Sequence, residues 1–191
     1  MPRGIQIERV CLGILSLVGV NRVAEFNFYC DPESAHIVFR SSTAKQYTEL
    51  FLITWETTLE HCLPWSFYDV LSNSESPLSK LLKSIIAKAE CMLRKEVEEP
   101  FLEVTDHHLT YVQQATSFVM CDVYALLALV HPDAILARKY WDIEIELHGK
   151  HTRGMVSIDW FQSNSHEKSN AQVVLKLNTD KLKSMLSEIF K

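Results

Sequence analysis

The five cysteines of this 191-residue chain form no CxxC pair, and the sequence holds no GxSxG, P-loop, GxGxxG or HExxH signature. The best-marked routes to a redox dithiol, a serine-hydrolase elbow, a phosphate cradle, a dinucleotide fold and a zincin protease are therefore closed. Cys11, Cys30, Cys62, Cys91 and Cys121 are odd in number and scattered, which fits reduced thiols in a cytosol-like compartment, not a disulfide framework. Basic residues are not in excess. Against 24 Asp and Glu stand 19 Lys and Arg, a net charge of -5, so the electrostatic footprint of a nucleic-acid binder is missing. Internal repeats, low-complexity tracts and interdomain linkers are absent as well. The apolar run VCLGILSLVGV (10–20) is short of the roughly 20 residues that span a bilayer. With Arg3 and Arg9 ahead of it the run imitates a signal segment, but VNR and AEF make poor cleavage sites, and a buried strand is the simpler reading.

What is present reads as one α/β domain with a sizeable core, 47% hydrophobic and 23% charged. ELFLITW (49–55) is a short apolar run rich in strand formers. The segment 76–99 sets Leu78, Leu81, Leu82, Ile85, Ile86, Ala89 and Leu93 at helical spacing between Pro77 and Pro100. CDVYALLALVHPD (121–133) reads as a mostly buried helix stopped at His131-Pro132. Residues 140–161 alternate like a β-hairpin with Gly149 and Gly154 near its connection. NSHEKSN (164–170) is a polar loop. AQVVLKLN (171–178) is a strand, and TDKLKSMLSEIF (179–190) an amphipathic helix with Thr179 as its expected cap.

AEFNFYCDPESAHIVF (24–39) needs closer reading. Asp31 suits an N-cap, Pro32 the first helical position and Glu33 the first turn, with Ala35, Ile37, Val38 and Phe39 as the buried face. Folding offers no evident reason for Glu25 and Asn27 between the aromatics. Elsewhere the chemistry-bearing groups have plain explanations. His107 and His108 are adjacent and diverge in regular structure. His148 and His151 flank a turn without a Cys or acid at ligand spacing. Trp55, Trp65, Trp141 and Trp160 read as core or pocket wall. Asp122, beside Cys121 at the head of an apolar helix, reads either as an N-cap or as a functional acid.

Taken together, AEFNFYCDPESAHIVF, CDVYALLALVHPD, DIEIELHGKHTRGMVSIDW and AQVVLKLNTDKL resemble, in order, segments of the inosine–uridine-preferring nucleoside hydrolases, over about residues 22–191. WETTLEHCLPW (55–65) is a weaker match. The resemblance implies a mostly parallel, open Rossmann-like sheet flanked by helices, with an extra hairpin near 140–161 set apart and the fold incomplete. It implies a cytoplasmic N-ribohydrolase that frees base and ribose from a ribonucleoside, with calcium as cofactor, no membrane partner and a homo-oligomeric full-length form. By carry-over, Glu25 and Asn27 hold ribose hydroxyls with Phe26 against the sugar, and Asp122 is a calcium ligand. An amide that donates and accepts beside a carboxylate suits a hydroxyl-rich sugar.

Departures from the family pattern are equally specific. Cys121 stands where many relatives carry a leaving-group His, Val123 where a Pro is expected, and Gly19 where a ribose-contacting Asn would be, with Asn21 nearby. The D-x-D-x-G-x-D-D cluster, source of the catalytic base and most calcium ligands, does not occur, nor does P-T-G-x-L-T-N. Residues 1–21 are accordingly read as a divergent segment completing or replacing a strand, ahead of the C-terminal part of a hydrolase-like domain at 22–191. Two function classes follow: a nucleoside N-ribohydrolase relative inactive as this chain, or a non-catalytic ribose-binding or interaction remnant, such as a truncated splice product. Leu12, Ile14, Leu15 and Phe51 are expected to lack cover in such a fragment.

Overall fold

A computed structural model describes residues 9–13, 23–43, 50–95, 117–161 and 169–191. The His107-His108 pair, Ile14, Leu15, Pro100 and most of the 164–170 loop lie outside the described residues. The chain divides into two compact units, residues 1–58 with 121–177 and residues 59–120 with 178–191. Among the described residues no helix is long and apolar enough to cross a membrane.

The first unit is built on a four-stranded sheet. Strand β2 (Leu50–Thr54) is buried at every position, as its continuous apolar run requires. Strand β1 (Arg9–Gly13) runs parallel to it, with Cys11 opposite Leu52. On the other side of β2 runs β8 (Ala171–Leu177), also parallel, with Leu52 opposite Val173. Strand β5 (Ile135–Trp141) pairs antiparallel to β8 and completes the order β1-β2-β8-β5. The class is α/β, and the sheet is mixed. The unexpected strand is β5, because only its end at Tyr140 and Trp141 reads as β from sequence. Its central residues Leu136–Lys139 are all exposed, and Arg138 and Lys139 give it the charge of an edge strand.

Helices α1 (Phe26–Cys30) and α2 (Pro32–Thr43) meet at Asp31. Asp31 Oδ1 accepts from Ser34 N at 3.0 Å and its Oδ2 accepts from Ser34 Oγ at 2.7 Å, the expected cap. Phe39 is buried and Ala35 and Val38 partly so, but Ile37 is 61% exposed. Positions 35, 38 and 39 follow the helical i, i+3, i+4 stripe, and position 37 falls off it. Phe28 and Phe39 pack with Leu50, Leu52, Val173, Trp141 and Ile143 in one core.

Strands β6 (Ile143–Ile145) and β7 (Val156–Ile158) form the expected hairpin as a separate antiparallel sheet. Asn170, read as loop, is buried: its Oδ1 accepts from Ile143 N at 2.8 Å and its Nδ2 donates to Ile143 O at 2.7 Å. Of the tryptophans, Trp141 is core, Trp55 and Trp65 are half-buried, and Trp160 is exposed, with its ring 5.0 Å from that of Trp141. Phe51 is buried, contrary to the expectation of an uncovered seam, and the Arg138 guanidinium stands 5.7 Å from its ring centroid.

The second unit holds α4 (Trp65–Ser72), α5 (Pro77–Lys95), the short pair β3 (Leu63–Pro64) and β4 (Ser117–Phe118), and a C-terminal helix, Thr179–Ile189. Trp65, Tyr68 and Phe118 pack edge-on and tilted as a cluster. Helix α5 starts at Pro77 as expected, but Leu78, Leu81 and Ile85 of its stripe are exposed. Asn178, not Thr179, caps the last helix, accepting from Lys181 N at 3.0 Å. Thr179 is instead the first helical residue.

Candidate functional site

Glu25 precedes α1 with extended backbone and takes the cap position. Its Oε2 accepts from Asn27 N at 2.9 Å, and its Oε1 accepts from Asn27 Nδ2 at 3.1 Å. The pair therefore has a folding role that the sequence did not suggest: it starts a helix of five residues. Burial pushes the Glu25 carboxyl above its ordinary value of 4.5, opposed by N–H groups of Asn27, Phe28 and Phe26. A carboxylate offers about four lone-pair sites and a primary amide two donors, so both groups keep free valences for a ligand. Asn27 is exposed and Phe26 is 61% exposed.

Helix α6 (Cys121–Val130) packs on β1 and β2. It begins at Cys121, so Asp122 lies in its first turn and is not the N-cap. The carboxylate suits the positive end of the helix. Cys121 Sγ donates to Thr58 Oγ1 at 3.9 Å, and Thr58 Oγ1 donates to Trp55 O at 2.7 Å. Those residues open α3 (Trp55–Glu60), directly after the C-terminal end of β2. Burial pushes the Cys121 thiol above its ordinary 9.0; the Thr58 bond opposes this, and the Asp122 and Glu25 carboxylates add to it. It is a protonated, weakly acidic group.

A cavity of about 610 Å³ lies between α6 and the α1–α2 pair. Asn27, Asp31, Ser34 and Asp122 are the polar groups of its wall, while Phe28, Phe39, Leu126 and Leu129 are among the apolar ones. Asn27 and Asp122, far apart in sequence, thus line one space between helices. Glu25 reaches it through Asn27, and Phe28, not Phe26, supplies the aromatic wall. Asp31 and Ser34 line the cavity too. Sequence reading assigned Asp31 only to capping and left Ser34 unremarked, because one hydrogen-bonded pair can serve both ends.

Calcium takes about six to eight oxygen ligands. Among the described residues no three His, Cys, Asp or Glu side chains gather as a metal site, and Asp122 and Asp31 are the acids of the cavity wall. His148 and His151 are both exposed on the hairpin turn.

No curated protein gives a match to the sequence. Solved structures do. An inosine-guanosine nucleoside hydrolase superposes with a TM-score of 0.68 at 24% identity, over 87% of this chain and 45% of its own. A plant nucleoside hydrolase gives 0.66 at 16% identity, over 97% and 51%. A purine-preferring ribonucleoside hydrolase from Gardnerella vaginalis gives 0.65 at 19% identity, over 95% and 50%. The chain spans about half the length of these structures, and at these identities they speak for the fold alone. The profile of the inosine-uridine preferring nucleoside hydrolases matches residues 13–184, nearly the whole sequence. With the fold and the sequence profile in agreement, the chain belongs to the inosine-uridine preferring nucleoside hydrolase family.

Proposed function

We propose that this chain forms the ribose-holding part of a nucleoside N-ribohydrolase and that, alone, it binds the sugar of a ribonucleoside without cleaving the glycosidic bond. The observation that carries this reading is the meeting of Asn27 and Asp122 at one cavity. Asn27 offers an amide donor and acceptor to ribose hydroxyls, Glu25 offers its remaining carboxylate lone pairs, and the Phe28 ring of the cavity wall lies against the sugar. Apolar walls strengthen those bonds by excluding water.

Three features argue against turnover by the isolated chain. The D-x-D-x-G-x-D-D cluster that supplies the family's base does not occur in the sequence. Of the cavity's two acids, Asp122 and Asp31, the second already accepts from Ser34 with both oxygens, where a multidentate calcium shell is needed. Cys121, whose thiol burial makes less acidic, is a poor donor to a departing base. Sugar binding that is equal in ground and transition states adds no rate.

The test is to incubate the purified chain with inosine and with uridine in calcium and to assay free ribose, alongside a ribose titration. Binding without ribose release is the expected result. Release at enzymatic rates, abolished by Asp122→Ala, would establish an active hydrolase. Absence of any ribose binding would refute the sugar-holding role.

A further inference from the structure

The hairpin loop between β6 and β7 has no part in the site described above, yet its Gly154 lies against the segment that carries Glu25 and Asn27. Gly154 is buried, has φ +85°, and donates from its N to Glu146 O at 2.7 Å. A Cβ added there would stand 2.9 Å from Phe28 O and 3.0 Å from Ala24 Cβ. Ala24 and Phe28 bracket the Glu25–Asn27 pair on either side, so one glycine backs both ends of it. The neighbouring Arg153 sends Nη2 to the Glu33 carboxylate at 2.8 Å and Nη1 to Leu147 O at 2.7 Å, which ties the start of α2 to the same loop. The loop is itself held: Glu146 Oε1 accepts from His148 N at 2.7 Å and Gly149 N at 3.0 Å.

We propose that the 146–154 loop is a positioning clamp for the Glu25–Asn27 pair, with Gly154 and Arg153 as its positioning residues. Gly154 fixes the height of α1 above the hairpin through contact with backbone, which cannot swing aside as a side-chain tip can. Arg153 fixes the adjoining end of α2. The consequence for ligand affinity rests on the ribose reading of that pair; the clamp itself does not.

Two substitutions separate clamping from turn strain. Asn tolerates positive φ better than Ala does, so a site limited by strain accepts Gly154→Asn and rejects Gly154→Ala. A clamp rejects both, because each adds a Cβ. The readouts are the Asn27 side-chain amide resonances and the Glu25 titration midpoint, followed by NMR, with ribose affinity as a third. Both variants are expected to shift the Asn27 resonances and raise the Glu25 midpoint, since bonds from Asn27 hold it down, and to weaken ribose binding about tenfold, while Ser157→Ala at the exposed position of β7 changes nothing. Should the glycine variants not fold, Arg153→Ala must produce the same shifts in smaller measure and Arg153→Lys must recover part of them. Unchanged Asn27 resonances and Glu25 midpoint in the folded variants, or rescue by Asn at 154, would overturn the clamp. Wild-type protein that binds no ribose would sink the ribose reading but leave the first two readouts to decide the clamp.

Discussion

Asn27 is held by Glu25 twice, through its backbone N at 2.9 Å and its side-chain Nδ2 at 3.1 Å, one carboxylate oxygen to each. The same contact starts a helix and orients the amide proposed to meet the sugar. Glu25→Ala is expected to lower stability by roughly the 0.5–2 kcal/mol of a lost helix cap. Asn27→Ala keeps the backbone bond and should cost less. Urea denaturation of both variants beside wild type decides it. An equal loss in the two would mean the backbone bond carries nothing.

Acid titration should reveal opposing carboxylates at the α1–α2 corner. Burial raises Glu25 above 4.5, so its contribution is present below its unfolded value and is lost as pH rises through its folded value. Asp31 is lowered by its bonds from Ser34, and Glu33 by Arg153, so their contributions are present above their unfolded values and lost as pH falls. Glu25→Gln should remove a decline in stability above about pH 4.5, and Glu33→Gln should soften the acid limb. Stability measured from about pH 3 to 7 checks both slopes.

Thiol reactivity should rank by position. Cys30 is exposed, whereas burial holds Cys121 as the thiol. Alkylation follows the thiolate. Iodoacetamide at neutral pH is expected to label Cys30 well before Cys121, read by peptide mass spectrometry. Faster labelling of Cys121 would mean its surroundings favour the anion.

Gln172 is 2% exposed in β8, and neither its Nε2 nor its Oε1 has a hydrogen-bond partner among the described residues. An unsatisfied buried amide costs about 1–3 kcal/mol. Gln172→Met, similar in volume and adaptable in shape, should raise the thermal midpoint. A lowered midpoint would show that the amide is satisfied in solution.

The strands that could be read from sequence are those whose burial is simple. Strand β2 is apolar throughout, β8 nearly so, and the hairpin alternates. Strand β5 could not be read, because an edge strand with Arg138 and Lys139 on it carries neither pattern. The cap of the last helix slipped by one residue because Asn178 and Thr179 are both good caps, and only backbone geometry chooses between them. For the site, no periodicity marks Asn27 or Asp122; they stand out as polar groups that folding leaves unexplained, and family resemblance supplies their roles. Glu25's capping role was hidden for a different reason. Glu is not among the favoured caps, and its reach to Asn27 depends on an extended backbone that composition does not reveal. The cavity was out of reach altogether, since its walls come from helices joined only in three dimensions.

Among the described strands, in the order β1-β2-β8-β5, β2 and β5 are joined through β8, which follows both in the chain. Translation therefore delivers the middle of the sheet last. A nascent chain halted before Ala171 has β2 and β5 made but no common neighbour to zip them, and the apolar Phe51, Leu52 and Ile53 wait beside an open edge. Chain-distant pairing of this kind folds slowly and leaves strand edges available to chaperones. For this unit the ribosome's release of β8, not the appearance of its first helices, sets when the four-stranded sheet can exist.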